Sequence, residues 1–307
     1  MKNYFAGLLA LMLLGCTTTS HFETGKKYFA AANFNGAITE FNQALATDAD
    51  NGPYLQARGM AYYDNGDYAR ARPDLERARF LSDGSPNVLL LNYLGSLYND
   101  LGQSRTAEQH YQLAVALDSL NTNSLTGLAW TYGNLNDNAN ALKYYTRALR
   151  VQPANWNALN CRAVLYRKAG NYPAALADYG KSLAANPASS DTHSNLGFLY
   201  LEMDKPQAAL ESFNEALRYN PRNAYALANR AKCKLQMGNA PAALADVQAS
   251  LLLSAQNGYA YLTRGKIYAS LAQPAASCRD FQRADSLGLS GIYRAELDSL
   301  LRTACRK

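Results

Sequence analysis

Residues Thr122 to Asn155 read TNSLTGLAWTYGNLNDNANALKYYTRALRVQPAN, a stretch of 34 residues that contains two helical stripes. Leu125, Leu128, Ala129 and Tyr132 fall at positions 4, 7, 8 and 11, the spacing of one apolar helix face. Ala141, Tyr145 and Ala148, at positions 20, 24 and 27, make a second face, and Pro153 stands at position 32. The polar run Asn134 to Asn138 between them allows the chain to reverse. A single hairpin of this kind cannot bury both stripes, so it needs stacked copies of itself.

The chain supplies those copies. The same frame fits residues 18–51, 52–85, 88–121, 122–155, 156–189, 190–223, 224–257 and 258–291, interrupted only by Pro86 and Asn87. Position 8 is always Gly or Ala, as in Gly25, Gly59, Gly95 and Gly197, which lets the two helices approach. Position 11 is Tyr in every copy except the seventh, which has Lys234, and the ring is expected to fill the space beside the small residue. Position 20 is Ala except at Ser277. Gly66, Gly102, Gly170 and Gly238 at position 15 suit the positive φ that closes a helix. Pro173, Pro206, Pro241 and Pro274 follow, near the first turn of the second helix.

This pattern resembles the tetratricopeptide repeat over about 270 of the 307 residues. The resemblance implies an all-α fold, a right-handed α-solenoid of about eight helix hairpins, closed by a capping helix over residues 292–307. Such arrays carry many unrelated functions, so the fold alone does not select one.

Ahead of the repeats, Lys2 precedes an apolar run from Tyr4 to Leu14 that is too short to span a bilayer and reads as an export signal, residues 1–15. Its end, Leu13-Leu14-Gly15-Cys16, resembles the lipobox of bacterial lipoproteins, in which Cys16 becomes the lipidated first residue. Residues 16–17 then form the lipidated terminus, and Thr17 in place of an aspartate implies, by the same resemblance, the periplasmic side of the outer membrane. Removing the signal removes Lys2 and takes the formal charge from +6 to +5, with no basic run of the nucleic-acid type. In this oxidising setting a disulfide between Cys278, in the last second helix, and Cys305, in the cap, would pin the cap. Cys161 and Cys233 lie two copies apart, beyond bonding reach.

Positions 7 and 23 are correlated. Arg58, Arg162, Arg230 and Arg264 at position 7 occur in the copies that carry Asp74, Asp178, Asp246 and Asp280 at position 23. Copies with Leu94, Leu128 or Leu196 have His110, Tyr144 or Ser212 instead. A guanidinium on a buried stripe needs an acid, so four interhelical ion pairs are expected, structural rather than catalytic.

No catalytic constellation or metal-ligand spacing emerges, and no cofactor motif. His21, His110 and His193 lie one to a copy, and Asp191, His193 and Ser194 share one helical turn, where a relay cannot be built in series. Function is therefore expected on the inner wall formed by the first helices. Position 9 reads Lys26, Met60, Ser96, Trp130, Val164, Phe198, Lys232 and Lys266 down that wall, and Asn92, Asn160, Asn195 and Asn229 offer amides at positions 5 and 6. Trp130, Phe198, the four asparagines, Lys232 and Lys266 are the candidate groove residues for an extended peptide. The expectation is a lipid-anchored, non-catalytic scaffold for protein or peptide partners at the bacterial cell envelope, without nucleic acid. The alternative is an enzyme or enzyme subunit acting on cell-wall peptide or glycan.

Overall fold

The computed structural model describes residues 20–82, 85–289 and 293–305. The signal segment 1–15, Cys16 and Thr17, and residues 291–292 and 306–307 of the cap segment lie outside the described residues. Every regular element among the described residues is a helix, and none of these helices is long and apolar enough to cross a membrane.

The chain divides into two compact units, Met1–Pro153 and Ala154–Lys307. The first holds α1 (20–30), α2 (Phe34–Leu45), α3 (Gly52–Asp64), α4 (Tyr68–Phe80), α5 (Val88–Asp100), α6 (Ser104–Leu117), α7 (Thr122–Asn134) and α8 (Asn138–Val151). The second holds α9 (Trp156–Lys168), α10 (Tyr172–Ala185), α11 (Ser190–Glu202), α12 (Pro206–Tyr219), α13 (Ala224–Gln236), α14 (Ala240–Leu253), α15 (Gly258–Ser270), α16 (Pro274–Ser286) and the cap α17 (Arg294–Ala304). Each odd-numbered helix up to α15 pairs with the even-numbered helix after it, and within each unit the first helices of neighbouring copies also touch, as α3 with α5 and α13 with α15.

From α3 to α15, every first helix starts at position 1 of its repeat. The residue before it, Asn51, Asn87, Asn121, Asn155, Ser189, Asn223 or Asn257, accepts a hydrogen bond from a first-turn amide. At the other end, position 15 has positive φ in all eight copies: Ala32, Gly66, Gly102, Asn136, Gly170, Asp204, Gly238 and Ala272. Glycine marks only half of these sites. Where Ala32 and Ala272 stand, the turn holds an L residue in the left-handed region because its amide bonds inside the reversal are kept, Ala32 N–H to Phe29 O and Ala272 N–H to Ala269 O.

The position-20 residues, Ala37 through Ser277, are fully buried. The small residue at position 8 faces the position-24 side chain of the paired helix, not the tyrosine three residues on as the sequence suggests. A β-carbon on Gly25 would lie 2.5 Å from Phe41, on Gly95 2.6 Å from Tyr111, and on Gly265 2.5 Å from Phe281. The missing methyl is the space into which the ring packs.

Candidate functional site

The four expected ion pairs form, each as a two-pronged contact. Arg58 Nε and Nη2 donate to Asp74 at 2.6 and 2.8 Å, Arg162 to Asp178 at 2.7 and 2.9 Å, Arg230 to Asp246 at 2.7 and 2.7 Å, and Arg264 to Asp280 at 2.7 and 2.8 Å. The acids are buried, and their hydrogen bonds hold the Arg58, Arg162 and Arg264 guanidiniums above the usual arginine range. Lys234, the exception at position 11, adds a second cation to Asp246 at 2.7 Å. In the first copy His21 Nδ1 meets Glu40 at 2.7 Å. All of these contacts join the two helices of one copy, so they are structural.

His193 Nε2 lies 3.0 Å from the Pro187 carbonyl, and Ser194 accepts from Asn223 Nδ2 at 3.3 Å, so Asp191, His193 and Ser194 are not assembled into a relay. No group of metal-ligating residues occurs among the described residues. Cys278 and Cys305 are joined at S–S 2.06 Å. Cys161 is half-buried and Cys233 buried, its thiol pushed up to about 12 by desolvation.

The inner wall of the second unit differs from expectation. Its asparagines are committed to one another and to neighbouring helices: Asn195 Nδ2 donates to Asn160 Oδ1 at 3.1 Å, Asn229 Nδ2 donates to Tyr225 O at 2.9 Å, and Tyr259 donates to Asn229 Oδ1 at 3.1 Å. Asn229 is fully buried. These amides sit in the seam between stacked first helices, where a short polar side chain reaches the next helix before it reaches solvent, so Asn229 presents nothing to a peptide. The Phe198 ring lies under the Arg167 guanidinium at 4.6 Å and beside Tyr225 at 6.3 Å, while Arg167 donates to Glu202 at 2.6 Å. Lys266 is taken by Glu296 of the cap. That leaves Lys232, half-buried and without an acid partner among the described residues. Desolvation, and then the nearby Lys266 charge, hold it below the ordinary lysine value.

In the first unit Asn92 is likewise committed, accepting from Ser124 Oγ at 2.7 Å and donating to Asn121 at 3.4 Å. Trp130 is 54% exposed. Tyr63 and Tyr93 cross between α3 and α5, donating to Asp100 at 2.7 Å and Asp64 at 2.9 Å with their rings edge to face.

A cavity on this wall lies outside the candidate residues. Of about 650 Å³, it opens between α1, α3 and α5, its lining including Phe22, Phe29, Ala57, Met60 and Leu90, with Lys26, Gln56, Ser82, Ser85 and Asn87 as its polar side chains. Gln56 and Asn87 bond each other across it at 2.9 Å. Met60 and Lys26 stand in the position-9 column, but Phe22 and Phe29 occupy positions 5 and 12 of the first copy. That column does not include them.

The tetratricopeptide repeat family matches residues 56–122 and 126–190, and a second description of the same repeat matches 190–223, together more than half of the chain. A tetratricopeptide repeat protein from Parabacteroides merdae is similar in structure with a TM-score of 0.64 and 26% identity, over 83% of this chain and 99% of its own. Pseudomonas aeruginosa pilF gives 0.60 at 19% identity over 69% and 96%, and yeast Tom70 gives 0.59 at 14% over 94% and 64%. No curated protein shows significant sequence similarity to the chain. The repeat frame, the helix hairpins and these matches agree, and the chain belongs to the tetratricopeptide repeat family.

Proposed function

We propose that the chain is a lipid-anchored scaffold without catalytic activity that holds a protein or extended peptide partner at the bacterial cell envelope. Proteins of this family mediate protein–protein interactions, and the observation that carries the reading is the open apolar cavity on the inner wall of the first unit. A cavity walled by Phe22, Phe29 and Met60 takes an apolar side chain, with the Gln56–Asn87 amide pair and the Lys26–Glu23 ion pair beside it. Trp130 extends the apolar surface of the same unit. The anchor rests on Leu13 to Cys16 after the apolar run.

The partner is recovered from detergent-solubilised membranes with the tagged protein and then titrated. Met60→Asp, which puts a charge into the cavity, should weaken binding by 2 kcal/mol or more, roughly thirtyfold, while Leu252→Ser on an exposed second-helix position leaves it unchanged. Binding lost only in the Leu252 variant would overturn the inner-wall reading. Separately, Cys16→Ala should move the protein out of the detergent phase; wild-type protein in the aqueous phase would remove the anchor.

A further inference from the structure

The outer side of the first unit has a second cavity, of about 540 Å³, between α4, α5 and α6. It lies at the two-residue interruption of the repeat, and Pro86 forms part of its wall. Its apolar lining includes the buried Leu94 and the Phe80 ring, which is 73% exposed.

Two polar groups in it have no hydrogen-bond or ionic partner among the described residues. His110 is 6% exposed, its Nδ1 has no hydrogen-bond partner, and its ring is stacked on Tyr98 at 5.4 Å and 8°. This is position 23, which in four other copies is an aspartate held by the arginine at position 7. Here that arginine is Leu94, so the imidazole has no ionic partner inside its own repeat. Arg79, the cation of the lining, makes no ion pair among the described residues. Glu76, the acid of the lining, already accepts the Tyr98 hydroxyl. The cavity therefore offers an uncommitted guanidinium and an uncommitted imidazole beside apolar side chains. A buried group such as the imidazole is normally satisfied, whereas Arg79 is exposed.

We propose that this outer cavity binds a carboxylate carried on an apolar body. A carboxylate pairs with the guanidinium and accepts from the imidazole, while the apolar body covers Leu94 and Phe80. A cationic ligand could pair with Glu76 but would leave the Arg79 guanidinium without an acid. A bare phosphate would leave the apolar lining uncovered. The free C-terminus of a protein ending in an apolar residue and a small carboxylic acid share this chemistry.

The test is calorimetric titration at neutral pH with three probes, N-acetyl-Gly-Leu-Phe as free acid, its C-terminal amide, and hexanoate, together with the His110 imidazole resonances, one set among the chain's three histidines. The free acid should bind and shift the His110 signals, and the amide should bind about tenfold more weakly or worse, as for loss of a charged hydrogen bond. Arg79→Gln, at an exposed position, and His110→Phe, which keeps a ring on Tyr98, should each weaken the free acid about tenfold. Met60→Asp on the inner wall should have no effect on it. Hexanoate matching the peptide would assign the site to small acids, and hexanoate failing where the peptide binds would assign it to a C-terminus; either supports the site. Equal binding of acid and amide, no binding of any probe at about 10 mM, a limit near 3 kcal/mol, or an unaffected Arg79→Gln would overturn it.

Discussion

Arg230 and Arg264 occupy the same position of successive repeats, yet their removal should have different consequences. Among the described residues Asp280 has Arg264 alone as its cation, whereas Asp246 also holds Lys234. Arg264→Ala leaves a buried carboxylate without a counter-charge and should cost about 3 kcal/mol, as other broken buried pairs do. Arg230→Ala leaves Lys234 in place and should cost roughly half as much. Urea denaturation of the two variants checks this, and equal losses would show that Lys234 does not compensate. His110 makes a prediction of the opposite electrostatic kind. Desolvation, with Arg79 second, lowers it from 6.5 to about 4. The unfolded chain then takes up a proton that the folded chain excludes, so this contribution is complete above pH 6.5 and is lost as the pH falls towards 4. The loss amounts to ~3 kcal/mol at most. Wild type minus His110→Phe should show that slope between these pH values, and a flat difference would mean that the ring is not protected from protonation.

At the scale of the element, the cap differs from the repeats in what holds it. The α17 helix places Leu297, fully buried, against Leu262, Phe281 and Ala284, and Cys305 at its end is tied to Cys278 across 27 residues. A loop of that length contributes ~3.5 kcal/mol in the chain-entropy model. Reduction, or Cys305→Ser, should lower stability by that order and should first raise amide exchange in α17 and α16; exchange unchanged by dithiothreitol would show that packing alone holds the cap. The helix bounds were legible because apolar period, prolines and position-15 glycines agree. What was not legible was that Ala32, Asn136, Asp204 and Ala272 take the same positive φ, since in those copies the reversal is imposed by the packing of the two helices and not by the residue.

For the whole chain, the 34-residue period fixed both the hairpins and the Arg–Asp pairs, because each is a relation inside one repeat. The binding surface was only partly readable. A sequence column reports which face of a helix a side chain occupies, but not whether the next helix takes up its hydrogen bonds, and for this reason Asn160, Asn195 and Asn229 looked available. The two cavities depend on relations between repeats, the first on Phe22 and Phe29 at the start of the array and the second on the interruption at Pro86 and Asn87. A consensus position conveys neither. The same copy-by-copy variation bears on how the chain assembles. Near-identical repeats invite a helix to pair with the second helix of the wrong copy, a characteristic failure of repeat proteins. Ionic copies stand at the second, fifth, seventh and eighth places and uncharged ones between, so a slip by one whole repeat would leave Arg58 against His110 or Leu128 against Asp178. Each such mismatch buries a lone charge and is rejected before it is locked in. Writing the Arg–Asp pair into the third, fourth and sixth copies would erase these marks, and the expected result is a lower yield of native protein on refolding with no loss of stability in the molecules that reach it.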